Sequence, residues 1–433
     1  MSTLGIIAEY NPFHNGHLYH LQKSKELSEA EFSIAVMGGN FLQRGEPAIL
    51  NKWTRTKMAL SAGIDLVIEL PFVFASQDSH GFAQAGIRLL DSLGVVDYVA
   101  FGCENEKIET FANLAKLIRT EPPYFKKIIK DGVKKGNSFP KIREKAITSF
   151  YQKYAKNLSN ISLNEVREIL NQSNNILALE YIISLQDLKS SIKPIPIKRI
   201  GSSYLESNLE GQYSSATAIR NIITQSYYSD INNNVNLSEQ LKSAIPYSSY
   251  QIIREEFQKG FNPILLSCFE QAIFSKLRSM NIIDIKKING IQEGLENKLK
   301  KAALSTGSIE ELIKAAKSKR YTRTRIQRIL IHSLIGLTKK EVKSFNKSGP
   351  RYCRVLGMSK KGRLILKEAK LNSKLPLVLK LSNFYQHHKK LENEVILKML
   401  NYDILATDLY VLAYKSGIAR VGGQDFTNKI ILI

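Results

Sequence analysis

The residues best placed to do chemistry lie near the start of the sequence, in the segment Asn11-Pro12-Phe13-His14-Asn15-Gly16-His17. It joins a short apolar run, Leu4–Ala8, to a segment with helical spacing that begins at Gly16. A helix N-terminus presents free N–H groups and the positive end of the helix dipole, which favour a phosphate. Imidazoles beside it can stabilise the charge that builds on a phosphate under attack. The pattern predicts a nucleotide site in which His14 and His17 are catalytic.

A second pattern typical of phosphate binding is Ser214-Ser215-Ala216-Thr217-Ala218-Ile219-Arg220. Small hydroxyl residues at a helix start cap the free N–H groups, and the same groups can bind phosphate. Arg220 follows about one turn later and can reach a terminal phosphate. We expect Ser215, Thr217 and Arg220 at the nucleotide; a simple helix cap is the alternative.

The charge of the chain is strongly positive and unevenly distributed. The formal net charge is +23, from 62 Lys and Arg against 39 Asp and Glu. Residues 1–110 hold 8 basic and 13 acidic side chains, whereas residues 311–370 hold 18 basic and 3 acidic ones. Such an imbalance indicates a polyanionic partner, either nucleic acid or an acidic membrane surface. The sequence therefore predicts chemistry in the N-terminal part and polyanion binding in the rest.

The basic residues between 314 and 328 are interleaved with Tyr321, which could stack on a base. This composition favours an RNA-binding surface over a merely solvated helix face. The expected RNA contacts in this segment are Lys319, Arg320, Arg323, Arg325 and Arg328. Nearer the histidines, Arg44 could hold substrate or phosphate, and it is also an expected RNA contact. Lys52 and Arg55 could meet RNA, although a solvated helix start explains these two equally well.

The elements that position these residues follow from alternating apolar runs and helical segments, the pattern of βαβ units and a parallel sheet. The expected strands are Leu4–Ala8, Phe32–Met37, Asp65–Leu70, Val95–Phe101 and Ile195–Ile200. Lys-rich helical sequence predicts a helical insertion at about 110–170. We expect an α/β fold, with a Rossmann-like catalytic domain over 1–230 and a basic, mainly helical α+β region over 231–433.

Three cysteines without a CxxC pair indicate neither a disulfide framework nor a structural zinc site. The start lacks a basic segment followed by a long apolar stretch, and no run approaches the roughly 20 apolar residues of a spanning helix. We expect a cytoplasmic protein that has no membrane partner and holds no metal through its own residues.

The block from Gly5 to His17 contains His14-Asn15-Gly16-His17, which resembles the HxGH signature of nucleotidyltransferases and class I aminoacyl-tRNA synthetases. The whole block is similar to the tRNA(Met) cytidine acetate ligase family. The similarity continues in order through residues 40–47, 65–71, 174–177, 197–201, 214–220 and 319–325, and so covers most of the chain. The HxGH core is specific only to the superfamily, whereas the ordered set is much more specific.

The resemblance implies a HUP-type domain that forms acetyl-adenylate and pyrophosphate from ATP and acetate. The acetyl group would then pass to N4 of the wobble cytidine of elongator tRNA(Met), with release of AMP. Mg²⁺ is expected through the ATP phosphates, and no obligate protein partner is indicated. The implied ATP site is Ile7, Ala8, Glu9, Tyr10, Asn11, Pro12, Phe13, His14, Asn15, Gly16, His17, Leu18, Tyr19 and His20, closed by Gly102, Asn175 (or its neighbour Asn174) and Arg199.

Two other functions are compatible with parts of the sequence. A small-molecule adenylyltransferase of the cofactor-synthesis kind would share HxGH but gives no account of the long basic half. An RNA-binding protein with a degenerate nucleotide fold would not need both histidines and the second phosphate pattern. The sequence does not mark the acetate pocket or the base that accepts the N4 proton.

Overall fold

The computed structural model describes residues 2–135, 139–154, 162–200, 213–229 and 237–433. Within these ranges one sheet forms the centre of the molecule. Its strands are β1 (Thr3–Ala8), β2 (Phe32–Gly38), β3 (Leu66–Leu70), β4 (Tyr98–Cys103), β5 (Lys193–Lys198), β6 (Cys353–Met358), β7 (Leu377–Val378) and β8 (Ile431–Leu432). The strand order is β5-β4-β1-β2-β3-β6-β7, and β8 pairs with β6.

The first five strands are all parallel, which confirms the predicted parallel sheet of an α/β fold. Each overlaps one of the five predicted runs, and the largest offset is at β4, which begins at Tyr98 rather than Val95. Alternate residues of β2 point to opposite faces: Ile34 and Val36 join one apolar cluster, whereas Ala35 and Met37 join the other. Both faces are therefore covered, as a parallel sheet requires.

The sheet continues across the boundary predicted at residue 230. Strand β6 pairs antiparallel with β3, and β7 and β8 both pair parallel with β6. All six residues of β6 are buried. Strands from the C-terminal region therefore complete the sheet that begins at the N-terminus.

The helices before residue 230 surround the first five strands, and four of them, α5 to α8, fill the predicted insertion. They are α1 (Asn15–Ser28), α2 (Lys52–Ser61), α3 (Phe72–Ala75), α4 (Ser79–Ser92), α5 (Ile108–Thr120), α6 (Pro123–Lys134), α7 (Phe139–Tyr154), α8 (Leu163–Asn171), α9 (Ser173–Leu188) and α10 (Ala216–Ser229). Helices α1 and α10 begin within two residues of the starts predicted from the two phosphate-binding patterns.

The C-terminal region is mainly helical, as predicted. Its helices are α11 (Glu239–Ala244), α12 (Tyr247–Gln258), α13 (Glu270–Ser279), α14 (Ile282–Lys287), α15 (Leu295–Ser305), α16 (Ile309–Ala316), α17 (Arg323–Ile335), α18 (Lys339–Ser348), α19 (Lys360–Asn372), α20 (Leu381–Lys390), α21 (Glu394–Val411) and α22 (Gln424–Thr427). Among the described residues, no helix combines the length and apolar character needed to cross a bilayer.

Candidate active site

A cleft of about 450 Å³ lies at the carboxyl ends of β1, β4 and β5. Open parallel sheets bind ligands at this edge, where the strand order changes direction. The structure brings most of the predicted nucleotide residues together there. Those that line the cleft are Ile7, Ala8, Glu9, Tyr10, Asn11, His14, Gly16, His17, Tyr19, His20, Gly102, Arg199, Ser215 and Arg220.

The two histidines of the HxGH pattern form a stacked pair at the first turn of α1. His14 is the N-cap residue, and its Nδ1 accepts a hydrogen bond from Gly16 N at 3.1 Å. His17 Nδ1 accepts one from His14 N at 3.3 Å, and the ring centroids are 3.7 Å apart. Because Nδ1 is the acceptor in each neutral ring, the proton of each lies on Nε2. Both rings therefore offer an Nε2–H donor to a ligand.

The glycine between these histidines permits their arrangement. A Cβ at Gly16 would lie 2.9 Å from His14 Cε1, closer than side chains approach one another. A larger residue there would push the His14 ring away from the helix N-terminus. The HxGH spacing thus follows from packing as well as from chemistry.

The histidines of the cleft are neutral at physiological pH. Burial, followed by the positive charges of Arg199 and Arg220, lowers the pKa of His14 to about 3. Burial and then Arg199 lower the pKa of His20 to about 4. Burial also lowers the pKa of His17 well below its usual value, and the nearby histidines act in the same direction. These rings can donate hydrogen bonds to a phosphate without a permanent charge of their own.

Arg220 connects the two segments predicted to bind phosphate, the HxGH loop and the start of α10. Its Nη1 donates to Asn11 O at 3.2 Å, and its Nη2 donates to Thr217 Oγ1 at 3.2 Å. At the start of the same helix, Ser215 Oγ accepts a hydrogen bond from Ala218 N at 3.1 Å. The guanidinium is therefore fixed between the HxGH loop and the N-terminus of α10, where both can face one phosphate chain.

Another part of the cleft lining joins Glu9 to the basic C-terminal region. Glu9 Oε1 accepts a hydrogen bond from Gln43 N at 2.7 Å, and Arg328 Nη1 donates to Gln43 O at 3.1 Å. Gly45, at φ +74, lies so close to α17 that an added Cβ would be 2.1 Å from Arg328 N. Arg44 and Arg328, both predicted RNA contacts, line the cleft. The basic helix α17 therefore forms part of the same site as the histidines.

The rest of the predicted RNA surface is partly engaged within the protein. Arg323 makes two hydrogen bonds to the carboxylate of Glu310, at 2.6 and 2.7 Å. Arg320 and Arg325 lie over the ring of Tyr321, 5.7 and 5.0 Å from its centroid. Tyr321 is only 7% exposed, so the expectation that it stacks on a base is wrong. The exposed residues of the segment include Lys319, Arg320 and Arg323.

Two of the predicted RNA contacts, Lys52 and Arg55, are wrong, because both side chains are fully buried. Helix α2 packs against β3, β6 and α12, which turns its first two turns toward the protein interior. Lys52 Nζ lies 2.8 Å from Glu69 Oε1 and 2.7 Å from Asp425 Oδ1. The Arg55 guanidinium donates to backbone carbonyl groups at the ends of β1 and β2 and in the loop before α2, those of Glu9, Gly38, Gly39 and Leu50.

Of the two neighbouring asparagines, Asn174 lines the cleft. Asn175 is fully buried, and its Oδ1 accepts hydrogen bonds from Glu104 N at 2.8 Å and Asn105 N at 3.3 Å. Asn175 therefore holds the loop that follows β4, and its contact with a nucleotide stays a prediction. The remaining predicted nucleotide residues are outside the lining: Pro12, Phe13, Asn15, Leu18 and Thr217.

Several lining residues were not predicted, among them Gln43, Ser79, Phe82, Tyr181 and Thr324. Phe82 and Tyr181 lie at regular apolar positions of α4 and α9. Such spacing predicts packing against the sheet and does not separate a residue at the cleft from one in the core. Gln43 and Lys198 did carry a local signal, because they lie beside Arg44 and Arg199 in segments 40–47 and 197–201.

No group of three or more His, Cys, Asp or Glu is placed to hold a metal ion in the described part of the chain. Among the described residues of the cleft lining, Glu9 is the sole carboxylate. A divalent cation in this cleft would therefore depend mainly on ligands from a bound nucleotide, as Mg²⁺ usually does with ATP.

The parallel sheet with an HxGH turn after its first strand defines a HIGH nucleotidyltransferase, and the model of the HIGH Nucleotidyl Transferase family matches residues 1–425. The chain is 43% identical to tRNA(Met) cytidine acetate ligase of Acetivibrio thermocellus over 100% of both chains. It is also similar to apo TmcAL of Thermotoga maritima, at a TM-score of 0.93 and 36% identity over 100% of both chains. The structure of the latter protein bound to alpha-thio ATP gives a TM-score of 0.91, again at 36% identity and 100% coverage of both. This chain belongs to the tRNA(Met) cytidine acetate ligase family.

Proposed function

We propose that this protein uses ATP and acetate to acetylate N4 of the wobble cytidine in elongator tRNA(Met), through an acetyl-adenylate. One observation carries the proposal: the stacked His14–His17 pair and Arg328 of the basic helix α17 line the same cleft. A nucleotide site and a candidate RNA surface therefore share one space. The name of the relative, tRNA(Met) cytidine acetate ligase, supports tRNA(Met) as the substrate. The alpha-thio ATP complex of the Thermotoga maritima protein supports ATP as the nucleotide.

In the first step, a carboxylate oxygen of acetate attacks the α-phosphorus of ATP. A new P–O bond forms, the bond to the β-phosphate oxygen breaks, and pyrophosphate leaves. The Nε2–H groups of His14 and His17 would stabilise negative charge on the phosphate oxygens. Arg220 and the N-terminus of α10 would hold the departing pyrophosphate. Mg²⁺ would neutralise part of the charge on the ATP phosphates when bound.

In the second step, the cytosine N4 attacks the acetyl carbonyl carbon. The C–N bond forms, the C–O bond to the phosphate breaks, and AMP leaves while N4 loses one proton. An exocyclic cytosine amine is a weak nucleophile, so placement of the base beside the mixed anhydride must supply much of the rate. No nucleophilic side chain of the protein is required in either step.

The tRNA would approach along the basic face next to the cleft. Arg44 and Arg328 lie at the cleft itself, and Lys319, Arg320 and Arg323 are exposed around the start of α17. Lys and Arg contacts with phosphates position a nucleic acid without reading its sequence. The wobble base can then be turned into the cleft, because proteins commonly bind bases of single-stranded RNA loops in a splayed-out position.

The direct test is mass spectrometry of nucleosides from unmodified elongator tRNA(Met) incubated with the protein, ATP, Mg²⁺ and isotopically labelled acetate. We expect labelled N4-acetylcytidine, and none when ATP is omitted. His14→Ala and His17→Ala should abolish the label while leaving tRNA affinity nearly unchanged, because both histidines act in activation. Lys57→Met, an exposed change on α2, is the matched control and should retain full activity.

Folded protein that forms no labelled product would contradict the proposal. In that case ATP-dependent pyrophosphate release with a panel of phosphorylated metabolites would test the cofactor-type adenylyltransferase instead. Normal adenylate formation by both histidine variants would contradict the roles assigned to His14 and His17.

A further inference from the structure

The second step of the proposed function needs a base, and the first does not. Acetate enters as a carboxylate with no proton to lose, whereas the cytidine N4 must lose one when its bond to the acetyl carbon forms. The usual general bases are imidazoles and carboxylates. Among the described residues lining the cleft, these are His14, His17, His20 and Glu9.

The geometry of His14 and His17 makes them donors. Both use Nδ1, the basic nitrogen of the neutral ring, to accept backbone N–H groups, so Nε2 of each carries the proton and has no free lone pair to accept another. His20 Nε2 is buried and has no hydrogen-bond partner among the described residues. Burial lowers the pKa of His14 to about 3 and that of His20 to about 4, which makes both rings weak bases.

Glu9, in contrast to the three histidines, is suited to accept a proton. It directly follows β1, and its carboxylate lines the cleft with Oε1 fixed by the 2.7 Å hydrogen bond from Gln43 N. Its backbone is fixed as well, since the buried Arg55 donates to Glu9 O at 2.6 Å. Burial raises the pKa of Glu9 above its usual value, which increases its strength as a base. The cations that act on it are Arg44, Arg220 and Arg55, and Tyr181 is close enough to feel its charge.

We propose that Glu9 is the catalytic base of the acetyl transfer. As N4 attacks the carbonyl carbon, the Glu9 carboxylate accepts the N4 proton and becomes a neutral carboxyl group, and AMP leaves with the electron pair of the broken C–O bond. The proton then passes to solvent, which restores the carboxylate. This role rests on the proposed function and concerns its second step only.

The test separates the two half-reactions in the complete enzyme with Glu9→Gln. Glutamine keeps an oxygen that can accept the Gln43 N–H but cannot take a proton from N4. Activation is measured as acetate-dependent exchange of labelled pyrophosphate into ATP, and transfer as single-turnover acetylation of tRNA. We expect exchange to stay within about threefold of wild type and transfer to fall by about 10²- to 10⁴-fold, the range typical of a general base.

The pH profile distinguishes a base from a residue that only positions the substrate. Wild-type transfer should rise with pH as Glu9 loses its proton, and Glu9→Gln should lack this rise. Glu9→Asp should recover part of the rate together with the pH dependence. Glu46→Gln is the matched control, because Glu46 lies on the same loop as Gln43, the residue that holds Glu9, and its Oε1 accepts from Gln327 Nε2 at 3.0 Å. Both of its half-reactions should remain normal.

Two results would overturn the role of Glu9: transfer by Glu9→Gln at the wild-type rate, or an equal loss in exchange and transfer. A wild-type enzyme that shows no acetate-dependent exchange would instead overturn the proposed function itself. The two failures are therefore distinguishable in one set of measurements.

Discussion

Replacing Lys52 by methionine would remove one charge from a buried network of two cations and two carboxylates. Lys52 Nζ lies 2.8 Å from Glu69 Oε1 and 2.7 Å from Asp425 Oδ1. Arg354 contacts the same two side chains, at 3.1 and 2.8 Å. The four side chains are at most 6% exposed. Methionine has a similar length but no charge, so the variant leaves one carboxylate uncompensated.

The expected cost follows from this burial. Removing one partner of a buried ion pair typically costs about 3–5 kcal/mol, because the remaining charge stays in a medium of low polarity. The same helix provides the control, since Lys57 and Glu255 form a pair of 2.9 Å whose side chains are 42% and 48% exposed. Exposed pairs contribute less than about 1 kcal/mol. Lys52→Met should therefore lower the free energy of unfolding several times more than Lys57→Met.

The measurement is urea unfolding followed by circular dichroism for Lys52→Met and Lys57→Met, and for the double-mutant cycle of Lys52→Met, Glu69→Gln and their combination. The double variant restores charge balance, leaving Arg354 with Asp425. Its loss of stability should be smaller than the sum of the two single losses. Equal costs for Lys52→Met and Lys57→Met, or strict additivity in the double variant, would refute the reasoning.

Two further predictions concern pH and RNA binding. Burial lowers the pKa of His332 to about 4, so the unfolded chain binds a proton first and stability falls as the pH drops below 6.5. By pH 5 the neutral, buried His332 should lower the free energy of unfolding by about 2 kcal/mol relative to pH 7. Urea titrations at pH 7 and 5 should show a smaller pH dependence of stability in His332→Gln than in the wild type, and an equal dependence would contradict this. Arg320→Ala with Arg323→Ala should weaken tRNA binding and reduce its salt slope by about 1 per lost phosphate contact. Filter binding at several salt concentrations measures both, and an unchanged slope would count against this surface.

The sheet and the HxGH turn could be predicted because their signals are local. The apolar runs of β1 to β4 each end in a glycine or proline or shortly before one, and helical spacing follows each of the first three. Residues 11–17 and 214–220 both carry residue types that suit phosphate binding at a helix N-terminus. Their meeting in space could be expected from a parallel sheet, which brings the carboxyl ends of its strands to one edge.

The burial of Lys52 and Arg55 could not be predicted, because it depends on residues distant in sequence. A lysine and an arginine near a helix start look the same whether the first two turns face water or the core. Here Asp425 from α22 supplies a carboxylate for Lys52. Strand β6, which brings Arg354 to the same network, carries no signal that it pairs with β3.

The contact between the basic helix α17 and the cleft also depends on residues distant in sequence, so it could not be predicted either. Gln43 is an ordinary polar residue in the sequence, yet its N–H holds Glu9 and its carbonyl oxygen accepts from Arg328. Gly45 lets this loop lie directly against the backbone of α17. The main chain of a single residue therefore connects α17 to the Glu9 carboxylate. This contact gives a physical reason for one chain to carry both the nucleotide site and the basic region.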